Sequence, residues 1–167
     1  MTGHSAPRLA VIAGQGDLPL RLARTVSRQG REVTIFAITG HADADFSEFD
    51  VVEVALGTIG ETRQQIKAAN CTEVAMVGKV RRPSLAQLRP DAHAVKLLAR
   101  TVGKGDDALL RVIASFFEED GISMVPVDQL MPDHVMPEGI LAGTIDAMVQ
   151  ADIDCGQAVL ELSLIHI

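Results

Sequence analysis

The stretch LAVIAGQGDLPLRLARTVSRQG, Leu9 to Gly30, decides the fold. Leu9 to Ala13 is an apolar run, Gly14 and Gly16 mark a turn, and Pro19 stands at a first helical position before an apolar periodic segment. Together they read as strand, loop and helix. A turn of this kind exposes backbone N–H groups at the positive end of a helix, where a phosphate can be held without any basic side chain.

Working outward, Arg31 to Ile38 (REVTIFAI) is β-branched and apolar and follows Gly30 as a strand follows a helix C-cap. Thr39 to Asp50 (TGHADADFSEFD) is polar and acidic and reads as a loop, and Val51 to Ala55 as a short strand. Gly57 to Asn70 has apolar residues at helical spacing, with Thr58 three residues before Glu61 as a capping box. Glu73 to Val77 is a buried strand, Leu85 to Thr101 a helix interrupted near Arg89-Pro90, Asp106 to Asp120 an amphipathic helix ended by Gly121, and Ile122 to Pro126 a last strand. This alternation predicts an α/β fold: a Rossmann-like open, mostly parallel sheet with helices on both faces. Three loops then share the carboxyl edge of the sheet, at Gly14 to Leu18, from Thr39 onward, and at Gly78 to Pro83.

The expected organisation is a Rossmann-like substrate-binding domain over residues 8–127, a proline- and glycine-containing linker over 128–143, and the first helix of a truncated second domain over 144–161. The final LSLIHI resembles the translation of a sequencing-library adapter, and residues 162–167 are expected to lie outside the natural fold.

Composition removes several function classes. A net charge of -7 over 167 residues, with no Trp or Tyr and five Phe, argues against a nucleic-acid surface. The one basic cluster is Lys79, Arg81 and Arg82. Cys71 and Cys155 stand far apart and outside any C-x-x-C, which suits a reducing compartment. The start, MTGHSAP, has no apolar signal region, no run approaches the roughly 18 apolar residues of a membrane span, and a cytoplasmic location is expected.

Gly14-Gln15-Gly16 departs from a dinucleotide fingerprint because Pro19 replaces its third glycine and no acid ends the second strand at Ile38 or Thr39. NAD binding is therefore set aside in favour of a backbone nest for a phosphate or nucleotide sugar; a tight turn without a ligand is the plain alternative. In Gly78-Lys79-Val80-Arg81-Arg82-Pro83 a lysine and two arginines are placed to meet a phosphate, or to sit in solvent. Gly103-Lys104-Gly105-Asp106-Asp107 lacks the Ser or Thr of a Walker sequence; its carboxylates suit a sugar hydroxyl, a metal, or a helix start. Asp43-Ala44-Asp45 and Asp152-Ile153-Asp154 read as solvated turns or helix starts.

IAGQGDLP, VGKVRRP and KGDDALLR in that order, then a strand, a proline-glycine linker and a D-I-x-x-G-Q helix, resemble the N-terminal half of the LpxI family over nearly all of residues 8–161. The resemblance implies a UDP-2,3-diacylglucosamine pyrophosphatase of lipid A assembly, cleaving the UDP-linked pyrophosphate to diacylglucosamine 1-phosphate (lipid X) and UMP. It implies a divalent metal, magnesium, with ligands mainly outside this chain, two domains with the lipid product between them, a homodimer when full length, and peripheral contact with the inner membrane. The ligand-facing positions it implies are Gly14, Gln15, Gly16, Gly78, Lys79, Val80, Asp106 and Asp107, with the catalytic residues expected in a C-terminal half that has no counterpart here. The fragment is thus expected to be inactive by itself; a non-catalytic nucleotide-sugar or phosphate-binding module is the alternative.

Overall fold

The computed structural model describes residues 7–81, 90–101, 106–134 and 142–165, with side chains omitted at 98–101, 106–107 and 161–165. It divides into two compact units, the first ending at His134.

The first unit is built on five parallel strands: β1 (Leu9–Ala13), β2 (Val33–Ile38), β3 (Asp50–Val54), β4 (Glu73–Val77) and β5 (Ser123–Met124). Their order, β3-β2-β1-β4-β5, reverses direction between β1 and β4. The three central strands are near-continuous apolar runs because both faces of the sheet are covered. Side-chain alternation divides them cleanly. Leu9, Val11, Val33, Ile35, Ala75 and Val77 join one buried cluster, with Leu22, Ala23 and Val26 of helix α1 (Leu18–Arg28). Ala10, Phe36, Ile38 and Val74 join the other, with Ile66 of α2 (Ile59–Ala68) and Phe117 of α4 (Asp106–Glu118). The predicted α/β, Rossmann-like parallel sheet with helices on both faces is the fold observed.

Three boundaries differ from the sequence reading. The last strand is two residues, not Ile122 to Pro126, because Pro126 has no N–H to offer a ladder and the chain turns at once into α5 (Val127–Leu130). That helix and a 3-10 turn at Pro132–His134 occupy the start of the expected linker; Leu130 and Met131 are buried in the first cluster, so the unit continues past Val127. Pro132 and Pro137 suggest a linker, but two apolar side chains, Leu130 and Met131, hold its start on the domain. Of the helix expected from Leu85, α3 is Ala92–Thr101, and residues 82–89 lie outside those described.

The capping box at Thr58 does not form. Thr58 donates its hydroxyl to Ala55 O at 3.1 Å, and the start of α2 is capped instead by Asp91, whose Oδ2 accepts from Gly60 N at 2.7 Å and Glu61 N at 3.3 Å. Its other oxygen accepts from Ala94 N at 2.7 Å, so a single carboxylate caps α2 and α3 together. Gly60 makes this possible: a Cβ there would lie 2.9 Å from Asp91 Oδ2. Arg63 of α2 lies 3.7 Å above the Phe116 ring of α4, donates to Phe116 O at 2.7 Å and pairs with Asp120 at 3.2 Å.

The second unit contains α6 (Ala147–Ile165), whose first turn is capped by Asp146 Oδ1 on Met148 N at 3.0 Å and Val149 N at 2.8 Å. Met148, Val149, Ile153, Val159 and Leu160 on it are exposed. Among the described residues no helix is long and apolar enough to cross a membrane.

Because one carboxylate serves two helix starts, Asp91→Ala is expected to cost about 1–3 kcal/mol, the sum of two caps. A urea melt checks this: the midpoint falls with the slope unchanged, whereas an unaltered midpoint would remove Asp91 from this role.

Candidate functional site

The two edges of the sheet are built differently. At the amino edge, charge is already paired: Arg31 with Glu73, and Arg8 with Glu32 at 3.1 Å and Asp50 at 3.6 Å. At the carboxyl edge the loops after β1, β2 and β4 converge as the sequence predicts. Lys79 and Arg81 are exposed, and among the described residues neither pairs with a carboxylate.

The loops after β1 and β4 are fastened by main chain. Gln15 N donates to Lys79 O at 2.8 Å and Lys79 N donates to Gln15 O at 3.0 Å, an antiparallel bridge beyond the ends of two parallel strands. Gly14 N donates to Val77 O at 2.8 Å. The approach is so close that a Cβ on Gly14 would lie 2.7 Å from Lys79 O, and one on Gly78, whose φ is +97°, would lie 2.8 Å from Gln15 O. These two glycines are therefore needed by the fold, whatever else they do.

This geometry revises the phosphate nest expected at Gly14-Gln15-Gly16. The N–H groups of Gly14 and Gln15 are spent on β4 and its loop, and Gly16 N donates to Asp43 Oδ1 at 2.8 Å. A carboxylate from the β2 loop thus occupies the place proposed for a ligand oxygen. Gly16, with φ +98°, is exposed and has nothing within 4 Å of its missing side chain. In the first turn of α1, Leu18 and Leu20 carry N–H groups without a helical acceptor, and Pro19 has none.

The β2 loop supplies what sequence reasoning passed over. Asp43 was assigned to a solvated turn and instead reaches back to the β1 loop; Asp45 accepts from Ser47 N at 3.0 Å, which holds its carboxyl below the usual range. His41 Nε2 lies 3.3 Å from Arg81 O, so the β2 loop also meets the β4 loop. The available signal was topological: a strand beside β1 must deliver its loop to the same edge. Val80 is exposed beside Lys79. Asp106 and Asp107 begin α4, but their side chains, like Arg82, Pro83 and the segment 102–105, lie outside the described residues.

Residues 8–134 match the family model described as the LpxI N-terminal domain. The chain belongs to the LpxI family. A Caulobacter vibrioides relative, named UDP-2,3-diacylglucosamine pyrophosphatase LpxI, is 32% identical over 151 residues, 88% of this chain and 54% of the relative. This LpxI-family chain therefore spans about half the length of that relative. Among solved structures, the Bordetella bronchiseptica enzyme WbmG in complex with NAD is similar at a TM-score of 0.43 and 15% identity, over 71% of this chain and 37% of that one. UDP-N-acetylglucosamine 4-epimerase from Bacillus cereus is similar at 0.39 and 9%, over 71% and 52%. Neither likeness bears on ligand or reaction.

The glycine contacts and the free cation separate in mutation. Gly14→Ala, which drives a methyl group into a main-chain oxygen, is expected to cost about 1–3 kcal/mol in a denaturant melt. Among the described residues Lys79 contributes to the fold through its backbone, so Lys79→Met is expected to leave the melting temperature unchanged; a loss comparable to Gly14→Ala would make the side chain structural.

Proposed function

We propose that the chain is the substrate-gripping domain of a UDP-2,3-diacylglucosamine pyrophosphatase, acting in hydrolysis of that substrate to diacylglucosamine 1-phosphate and UMP. The observation that carries this reading is the 32% identity, over 88% of the chain, to a relative named for that activity. The geometry supports it: the carboxyl edge, where open α/β sheets receive ligands, holds Lys79 and Arg81, exposed cations with no carboxylate partner among the described residues. Attack of water on a pyrophosphate requires neutralisation of phosphoryl oxygens, and an exposed lysine beside an arginine supplies part of it. In this reading the protein works in the cytoplasm at the inner face of the membrane, and as a homodimer in its longer form.

The fold-based rival, a dinucleotide enzyme, is disfavoured by main-chain geometry. The crevice between β1 and β4, where such enzymes pass the pyrophosphate, is bridged here by Gln15 and Lys79. A non-catalytic phosphate-binding module differs from our reading only in lacking chemistry.

For the divalent metal of the proposed reaction the described residues offer no donor set. Among the described residues no group of three or more His, Cys, Asp or Glu could hold a metal ion, so no step is assigned to one. What the described residues do is bind and orient. Lys79 and Arg81 meet phosphoryl oxygens from the β4 loop, and the bridge to Gln15 fixes that loop in place.

Titrating the 167-residue chain with UDP-2,3-diacylglucosamine in neutral-detergent micelles is expected to give saturable binding, weaker by about five-fold in Lys79→Met and less salt-dependent, as for one exposed contact of about 1 kcal/mol. No UMP is expected on adding magnesium. Absence of saturable binding would sink the substrate reading, and UMP release would show that this chain carries catalytic groups, with Asp106 and Asp107 the first to replace.

A further inference from the structure

The two outer edges of the sheet differ in how they are closed to further pairing. An edge strand offers a row of unpaired N–H and C=O groups to any extended chain, and proteins restrain this by shortening the strand or by placing charge on it. At one edge β5 is only two residues long, Ser123–Met124, and Pro126 follows closely. At the other edge β3 has five residues, DVVEV, three of them valine and none proline. Length therefore closes the β5 edge and leaves the β3 edge open.

Register shows which groups β3 presents. Thr39 N donates to Val54 O at 2.9 Å, so Val54, and with it Val52 and Asp50, turn their main-chain groups to β2. Val51 and Glu53 turn theirs outward, and among the described residues those groups meet no main-chain partner. Two outward residues on either side of Val52 are self-complementary under a two-fold axis. A second β3 laid antiparallel about Val52 sets Val51 opposite the second copy's Glu53 and Glu53 opposite the second copy's Val51, and each pair exchanges both hydrogen bonds. Asp50, 3.6 Å from Arg8, falls opposite the second copy's Val54.

The side chains oppose what the main chain permits. Val52 and Val54 face the second buried cluster, so Val51, 44% exposed, and Glu53 share the other face. Glu53 is exposed and among the described residues has no ion pair. In the two-fold pairing the two Glu53 carboxylates become diagonal neighbours, on Cα atoms about 7–8 Å apart, and like charges at that range repel. We propose that Glu53 guards the outer edge of β3, a surface whose main chain fits a second copy of this chain and whose charge keeps that copy away. The guard is independent of the hydrolase reading and of the homodimer proposed for the longer form, because neither the β4 loop nor a substrate takes part in it.

Disulfide trapping of the 167-residue chain tests this, with Cys155→Ser and Val52→Cys as the parent and copper phenanthroline in air as the oxidant; Cys155 is exposed and Cys71 is buried. In the two-fold register the two introduced thiols stand on a non-hydrogen-bonded pair with Cα atoms about 4.5 Å apart, close enough for a disulfide. Adding Glu53→Gln is expected to speed trapping about five-fold. Chains carrying Glu53→Lys should be as slow as the parent, because like charges meet again. Parent and Glu53→Lys chains mixed should give chiefly the mixed dimer, about thirty-fold faster than the parent by itself. Molar sodium chloride should speed the parent and slow the mixture. Val51→Cys in place of Val52→Cys, more exposed but off the two-fold axis, should trap more slowly. Equal rates in all charge versions, a mixture no faster than its components, or faster trapping at Val51→Cys would each overturn the proposal. Sedimentation velocity of chains that keep Val52 repeats the comparison without an introduced thiol, should Val52→Cys unfold the sheet. Association through the exposed apolar residues of α6 is common to every version and cancels, so a mixture of Glu53 and Glu53→Lys chains no more associated than either component would again overturn it.

Discussion

The structure depends on how closely two main chains pass at Gly14 and Gly78. A parallel sheet whose strand order reverses between β1 and β4 opens a crevice at that point, because the loops leaving the two strands diverge. Here they do not diverge. Two glycines let the backbones touch, two N–H to O=C bonds exchanged between Gln15 and Lys79 hold them, and the β4 loop is fixed over the end of β1. The exposed Lys79 and Arg81 then project from a braced loop.

The strands that the sequence made legible are those whose environment is local and uniform. Leu9–Ala13 and Glu73–Val77 were read with their observed bounds, since a short apolar run covered on both faces carries its own signature. Asp91 was not legible as a cap for α2, because its partners at Gly60 and Glu61 are some thirty positions earlier and nothing in T-I-G-E reveals that a distant carboxylate will replace the local one. The segment 128–134 departs from the expected linker for the opposite reason: Pro132 is a strong local signal, and burial of Leu130 and Met131 is a tertiary effect that overrides it.

The candidate site was legible as an edge and not as a set of atoms. Topology alone placed the three loops together, and LpxI-family membership, shown by the match over residues 8–134, agrees with the resemblance seen in the ordered motifs. The glycine nest was the part that failed to transfer. Glycines after a first strand suggest N–H groups turned toward a ligand, but the same glycines also permit close main-chain packing, and only the partners of each N–H distinguish the two. At Gly14 and Gln15 those partners are Val77 O and Lys79 O.

Charge at the carboxyl edge is sorted by strand, and this bears on where an anionic ligand sits. Over β1 and β2 the edge is acidic, with Asp43 on Gly16 N, Asp45 on Ser47 N and Asp17 beside Arg21 at 3.8 Å. Over β4 it is basic, at Lys79 and Arg81. A phosphate approaching the start of α1 must displace the Asp43 carboxylate or share the space with it, and two like charges at about 4 Å repel by about 1 kcal/mol even in water and by more at a partly dry surface. A phosphate over β4 meets no such opponent among the described residues and finds two unpaired cations. The glycine turn ahead of α1 that first suggested a phosphate site is thus held at Gly16 N by the protein's own acid, and the sheet offers a ligand anion the neighbouring strand β4.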